Sequence, residues 1–458
     1  MPHTTPENPP PPVRAPLDRL ASALSIRPGE GLVTLLSGLT IFVWFLGWGM
    51  VRPLRDAMGV EKGADYMLGL ISATAVVSLA VSPVVAWTVS KLGSDQSGRR
   101  RIPLIVYRFF ALNLLLFALA KWLTPEPHRH IVGYVFFVWS SVFNMTCVSV
   151  FWGLVSDVFP RERSLRLYGL IAMGATLGII VGGATAKWMA GQQLSAAVFM
   201  LALAAMLEVA ARLSRAMAAS GAIAAKMWER EAVPGSTASS TTATVAPLRP
   251  TGAMSGIKAV VGSPYLLGVC GYLLIYTITS SFFYLAQQRV VAEAGADQAA
   301  RTAMNATISL WADSVTLIVQ LLLTGRIIKW IGQSGALAST PIVTIAGLAW
   351  MGQNPGLVGL TQSVVTRRSV HFAVDRPSRE ALYTVIPPEQ KYTAKSFIDT
   401  YIYRCGDVLG ALIESGLKSS NTPMLWFAGP LCVVGAGLGM WLGARARNST
   451  RAEERSSW

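Results

Sequence analysis

Charge is scarce in this sequence: Asp, Glu, Lys and Arg make up 14% of its 458 residues, where ordinary globular chains carry about 25%. With 52% hydrophobic residues and a mean hydropathy of +0.46, that deficit argues against a soluble domain. Cysteine is rare too. Cys147, Cys270, Cys405 and Cys432 fall within or beside apolar stretches with no paired spacing, which excludes a disulfide framework and a zinc site. Of four histidines (His3, His128, His130 and His371) only His371 lies near an apolar interior. No G-x-x-x-x-G-K-[ST], H-E-x-x-H or nucleophile elbow occurs, so no enzyme class, cofactor or metal is indicated.

What the sequence has instead is apolar length. A hydrocarbon core of about 30 Å takes a helix of roughly 20 apolar residues, and such blocks recur along almost the whole chain. They predict helices near Leu32–Val51, Tyr66–Val89, Ile102–Leu123, Ile131–Val155, Leu167–Ala190 and Leu194–Leu213. A second set falls near Tyr265–Ala286, Asn305–Thr324, Ala336–Met351, Gly356–Val374, Phe397–Gly416 and Met424–Gly443. The expected class is an all-α membrane protein of about twelve transmembrane helices in two six-helix bundles. The expected organisation is a disordered cytoplasmic segment over 1–30, a first bundle over 31–213, a linker over 214–262, a second bundle over 263–443 and a tail over 444–458. The linker opens with a possible amphipathic extension (Lys226, Trp228, Glu229, Arg230) and becomes Ser/Thr/Ala/Pro-rich from Pro234, a composition too biased for a packed domain.

A formal charge of +15 would suggest nucleic acid in a soluble protein. Here the basic residues gather in alternate connections: Lys91, Arg99 to Arg101, Arg161, Arg163, Arg166, Arg326, Lys329, Lys391 and the Arg-rich tail on one side, a scattering such as Lys62, Lys121 and Lys418 on the other. This positive-inside pattern puts both termini in the cytoplasm of a bacterial inner membrane. The expected partners are the bilayer and a small solute, with no nucleic acid and no obligate protein partner.

The halves share landmarks. Phe159-Pro160-Arg161-Glu162 precedes a span carrying Gly174 and Gly178, and Ile386-Pro387-Pro388-Glu389 precedes one carrying Gly406 and Gly410. Glycines four apart let two helices approach closely, so Gly174, Gly178, Gly182 and Gly183 read as helix packing. They also resemble the antiporter motif of facilitator carriers, with Ile179 where that motif has proline. Asp95, Gly98, Arg99 and Arg100 fit a conformational loop of the D-x-x-G-R-[RK] kind, and equally a plain basic loop.

Charges inside the spans carry more information. A charge at the bilayer centre costs at least about 2.5 kcal/mol on insertion scales, so it normally faces a cavity or a partner. Arg108, Asp313, Arg367, Arg368, Arg404 and Asp407 are such residues. Arg404 and Asp407, three apart, can pair, whereas Arg367 and Arg368 have no carboxylate on their own helix before Asp375. Two charge boxes stand at span ends: Arg52-Pro53-Leu54-Arg55-Asp56 and Arg376-Pro377-Ser378-Arg379-Glu380. They fit ion-paired gates or snorkelling interface arginines.

At these residues the chain resembles the bacterial and plastid nucleotide (ATP/ADP) translocase family, a branch with the major facilitator architecture. The first box resembles that family's R-[PD]-x-[RK]-D. The stretches Phe151–Gly183 and Arg376 through Lys391-Tyr392, Lys395, Asp399, Arg404 and Asp407 are similar as well. The resemblance implies exchange of nucleotides without hydrolysis, with Arg52, Arg55, Arg376, Arg379, Lys395 and Arg404 as contact or gating residues. Taking the residues and the resemblance together, Arg52, Arg55, Asp56, Arg108, Arg367, Arg368, Arg376, Arg379, Glu380, Lys395, Asp399, Arg404 and Asp407 are the expected binding or gating set for a small anionic solute, Lys395 through the resemblance. Proton-coupled transport through Asp313, Asp399 or Asp407 is the alternative, and a non-transporting membrane scaffold is the alternative of another class.

Overall fold

The computed structural model describes residues 27, 29–92, 96–231, 260–386, 394, 395 and 397–456. These residues are helical with short connections. In chain order the helices are α1 (Gly31–Gly59), α2 (Met67–Leu92), α3 (Gln96–Leu123), α4 (Arg129–Val158), α5 (Arg161–Gly191) and α6 (Ala196–Glu231). Then follow α7 (Pro264–Ala294), α8 (Gln298–Leu322), α9 (Thr324–Gln353), α10 (Leu357–Val370), α11 (Tyr403–Ser419) and α12 (Met424–Ser456). Ten of them, with short adjoining turns, are long and apolar enough to cross a membrane. The other two, α10 and α11, are short as regular helices and carry Arg367, Arg368, Arg404 and Asp407. Each is extended by a π-helical turn, His371–Asp375 after α10 and Ile398–Ile402 before α11.

Local chemistry places several ends. Ser263 caps α7 by accepting from the Leu266 N–H at 3.4 Å, with Pro264 following, and Asp297 caps α8 by accepting from Ala300 at 2.7 Å. Gly332 interrupts α9 with a φ of +68°, which L side chains rarely adopt. Two boundaries differ from the sequence reading. Helix α6 runs on to Glu231, so the linker starts later than 214, because Met217, Ala218, Ala224 and Trp228 continue its buried stripe. Helix α12 continues to Ser456, through the expected tail. The Pro/Ser/Thr-rich linker, the 1–26 segment, Asp95 and Pro387–Lys391 lie outside the described residues.

The glycine seams set the packing. A Cβ on Gly174, Gly178 or Gly182 of α5 would overlap the carbonyl oxygens of Gly38, Phe42 or Leu46 of α1, so only glycine allows this approach. Gly183 points elsewhere, at ordinary contact distance from Leu310 of α8. In the second half Gly406 and Gly410 of α11 press on Thr277 and on Ile278 and Ser281 of α7 in the same way. One apolar core joins residues of α1 and α3–α6, with rings such as Phe110, Phe136, Trp139 and Phe143 stacked or edge-on at its centre. Two others lie among α7 and α9–α12. Between the sets, α8 packs on α5 and α1, and α2 packs on α11.

Candidate functional site

Helices with odd numbers run one way and those with even numbers the other; the end at which α1 begins is called the near end, the opposite one the far end. At the far end the halves are fastened together. Val60, Met67, Leu70 and Phe137 form an apolar plug with Leu285 and Ala411. Beside it, Arg55 donates to Asp56 at 2.6 and 2.9 Å, and Tyr284 of α7 donates to the same carboxylate oxygen at 2.9 Å. Arg55 also lies over the Phe137 ring at 4.5 Å. Lys418 pairs with Asp65, and Arg301 donates to the Val60 carbonyl at 3.4 Å. The first charge box is therefore part of a contact between the halves. Its internal partner for Asp56 is Arg55 rather than Arg52, one turn away.

Toward the near end a cavity of about 500 Å³ opens between the halves. The first half contributes Ser78, Leu79, Ser82 and Met145. The second contributes Tyr276, His371, Phe372, Arg376, Arg379, Glu380, Asp399, Thr400, Tyr403, Arg404 and Asp407. Both π-helical turns border it, and such turns recur at functional sites because the extra residue re-aims side chains. The charges are sorted by their partners. Arg404 and Asp407 pair at 3.6 Å. Arg379 is held by the Tyr403 hydroxyl at 2.5 Å and by Glu380 at 4.0 Å, and Lys395 also pairs with Glu380. Arg376 is exposed to the cavity with its guanidinium 5.8 Å from the Phe372 ring.

Behind the wall lies a polar support. His371 stacks on Tyr276, ring centres 3.9 Å apart, and its Nδ1 is 2.9 Å from Asp375. The Tyr272 hydroxyl lies within hydrogen-bond reach of both Asp375 and the Leu337 carbonyl, with one proton to give. The imidazole bonds along its own helix, and Asp375 carries the connection to α7.

A model of the TLC ATP/ADP transporter family matches residues 41–354 of this chain. The chain belongs to that family. It is 24% identical over 445 residues to ADP,ATP carrier protein 2 of Chlamydia pneumoniae, covering 83% of this chain and 81% of the relative. It is 22% identical to the chloroplastic ADP,ATP carrier protein 1 of Arabidopsis thaliana, over 91% of this chain and 74% of that one. Among solved structures, the crystal structure of the nucleoside transporter NupG superposes with a TM-score of 0.55 at 12% identity, covering 91% of this chain and 99% of that one. That likeness concerns the fold alone. This TLC transporter is thus a multi-pass membrane protein.

Of the expected residues in this TLC transporter, Arg376, Arg379, Glu380, Asp399, Arg404 and Asp407 meet in the cavity, with Lys395 attached through Glu380. Arg55 and Asp56 lie in the far-end contact between the halves. Two expectations are corrected. Arg108 faces outward on the stripe shared with Ile105, Phe109 and Leu112, where it pairs with Glu208 of α6 at 2.9 Å, so it lines no cavity. Arg367 is 4% exposed and satisfied without any carboxylate: it donates to Thr344, Ser280, Thr279 and the Tyr276 carbonyl at 3.0–3.3 Å and lies between the rings of Tyr276 and Phe283. It joins α7, α9 and α10 and stands outside the cavity. Arg368, with no acid before Asp375 on its own helix, pairs across to Asp313 of α8 at 2.9 Å. Half-buried Arg52 sits in the field of that pair, outside the cavity lining. Gly98, Arg99 and Arg100 fall in the first turns of α3.

Sequence reasoning missed Glu30. It is fully buried at the head of α1 and takes Arg163 and Arg166 of α5 at 2.7–2.8 Å. It also missed the aromatic wall of Tyr276, Phe372 and Tyr403. The only local signal was the hydroxyl run Tyr276-Thr-Ile-Thr-Ser-Ser281 inside an apolar span.

Proposed function

We propose that this TLC transporter exchanges adenine nucleotides across a bacterial inner membrane by alternating access, with the cavity above as the substrate site. The observation that carries the reading is Arg376, exposed in an inter-half cavity that is closed at the far end. Guanidinium groups suit phosphate because they donate in a planar fork, and Tyr276, Phe372 and Tyr403 offer ring faces for a base. A volume of about 500 Å³ falls within the range of small-molecule sites. The names of the relatives, ADP,ATP carriers in Chlamydia pneumoniae and Arabidopsis thaliana, support the substrate class.

The same reading takes α10 and α11 as crossings. With their π-helical turns they run from Leu357 to Ala381 and from Ile398 to Ser419, about 33 Å or more at 1.5 Å per residue. Their mean hydropathy is lowered by charges that face the cavity or neighbouring helices instead of lipid. Twelve crossings then form two six-helix bundles, α1–α6 and α7–α12, with the near end and both termini cytoplasmic on the positive-inside pattern. The far-end lock closes the external side, and α2 against α11 and α5 against α8 are the contacts along which the bundles rock. No hydrolysis is involved, and the expected occupant is a small anion.

Thermal unfolding of the purified transporter tests the substrate class, since a ligand that binds only the folded protein stabilises it. ADP and ATP are expected to raise Tm, and adenosine, succinate and glucose 6-phosphate to leave it unchanged. Stabilisation by succinate or the sugar phosphate with none by nucleotides would overturn the reading.

A further inference from the structure

The charges that face away from the cavity form a pattern of their own on the outer surface of the first half. Arg108 of α3 binds both oxygens of Glu208 of α6, at 2.9 and 3.0 Å, and Arg212 binds one of them at 2.9 Å. The two arginine side chains remain 53% and 75% exposed. Around them the surface is apolar, with Phe109, Leu112 and Val209 exposed. Two helical turns nearer the near end on α3, about 10 Å away, stands Arg101, and three residues beyond Arg212 stands Arg215, both exposed. Because α3 and α6 pack side by side in opposite directions, the four arginines lie along one seam, with Arg215 about 4.5 Å and Arg101 about 10 Å nearer the near end than the pair at Glu208. Against them the two helices, up to Met227, carry one acid, Glu208.

Nothing in the exchange reaction uses this seam, and a surface of leucine and phenylalanine at this height meets lipid. An unbalanced charge there is costly unless it snorkels to the interface or meets an anion. Basic pockets between transmembrane helices on the cytoplasmic side are suited to acidic head groups. We infer that the α3/α6 seam is a binding site for an anionic phospholipid, whose phosphate is held by Arg101 and Arg215 while Arg108 and Arg212, kept in place by Glu208, sit beneath it at the glycerol level and the acyl chains lie on Phe109, Leu112 and Val209. Glu208 acts as a spacer that fixes two guanidinium groups at a set separation and leaves their outer N–H groups free. The site stands independently of the nucleotide assignment.

The test is native mass spectrometry of the full-length protein from mixed micelles containing phosphatidylglycerol or phosphatidylcholine at equal concentration. Wild type is expected to retain phosphatidylglycerol at least tenfold more strongly than phosphatidylcholine. The double variant Arg101→Gln/Arg215→Gln, at exposed positions that leave the Arg108–Glu208 pair intact, is expected to lose most of that preference. Glu208→Gln, which removes the single opposing charge, is expected to keep or raise it. Equal retention of the two lipids by wild type, an unchanged preference in the double variant, or a second copy of the chain bound at this face in place of lipid would each overturn the site.

Discussion

Helix α5 lies on α1 and helix α11 lies on α7 by one device, glycines four apart pressed against a neighbouring backbone, yet the surroundings of the two seams differ. Around α1 and α5 the interior is a continuous apolar core, and the first half offers the cavity two serines, a leucine and a methionine. Around α7 and α11 the core is split in two, and the space between holds Arg367 among hydroxyls, the Tyr272–Asp375–His371 chain and both π-helical turns. A repeated scaffold therefore does not imply a repeated function. The first half lines the cavity with small or apolar side chains, and the second with charged and aromatic ones.

Several substitutions would break or sharpen that contrast. The largest effects belong to what the halves share. Gly178→Leu and Gly410→Leu each force a side chain into a helix backbone or its side chains, an overpacking that costs about 3 kcal/mol or more. Neither variant should give a monodisperse peak on size-exclusion chromatography of detergent extracts, whereas Gly183→Ala, which meets only ordinary contact, should. Next comes the asymmetry. Arg376→Gln should weaken ADP binding about 100-fold, on the scale of about 2–5 kcal/mol for removing one member of a charge pair. Ser78→Ala and Ser82→Ala should change it less than about threefold, and isothermal titration measures both. Comparable losses on the two walls would end the division of labour.

A smaller effect is expected at the far end. Asp56→Asn weakens the acceptor of both Arg55 and Tyr284, so in a Cys405→Ser background a cysteine at Leu70 should react about tenfold faster with a membrane-impermeant maleimide. The smallest belongs to the lipid-facing seam: Arg108→Gln should leave ADP affinity within about twofold, because its side chain and the cavity lie on opposite sides of α3 and its neighbours.

How much of this could be read from the sequence follows from what hydropathy measures. Apolar length gives depth in the bilayer, so the long helices and the glycine seam Gly174–Gly182 were legible, and Arg376 and Arg404 stood out as charges in or beside apolar spans. Hydropathy gives no azimuth for a helix that is apolar all round. Arg108 is the example: Ile105, Phe109 and Leu112 face lipid while Tyr107, Phe110 and Leu114 face the core, and nothing local separates the two sets. Partners remote in sequence were equally hidden. Tyr284 lies 228 residues from Asp56, Asp313 lies 55 from Arg368, and Glu30, inside a segment that read as disordered, closes on α5. Nor does sequence spacing reveal a π-helical turn, which shifts the register of the residues after His371 toward the cavity.

The assignment of the cavity to nucleotide exchange is tested most directly by counterflow in proteoliposomes. Vesicles loaded with unlabelled ADP should take up labelled ATP, vesicles without internal nucleotide should not, and Arg376→Gln, reconstituted to the same density, should reduce the loaded uptake to near background. Equal uptake by loaded and empty vesicles, or full exchange by Arg376→Gln, would contradict it.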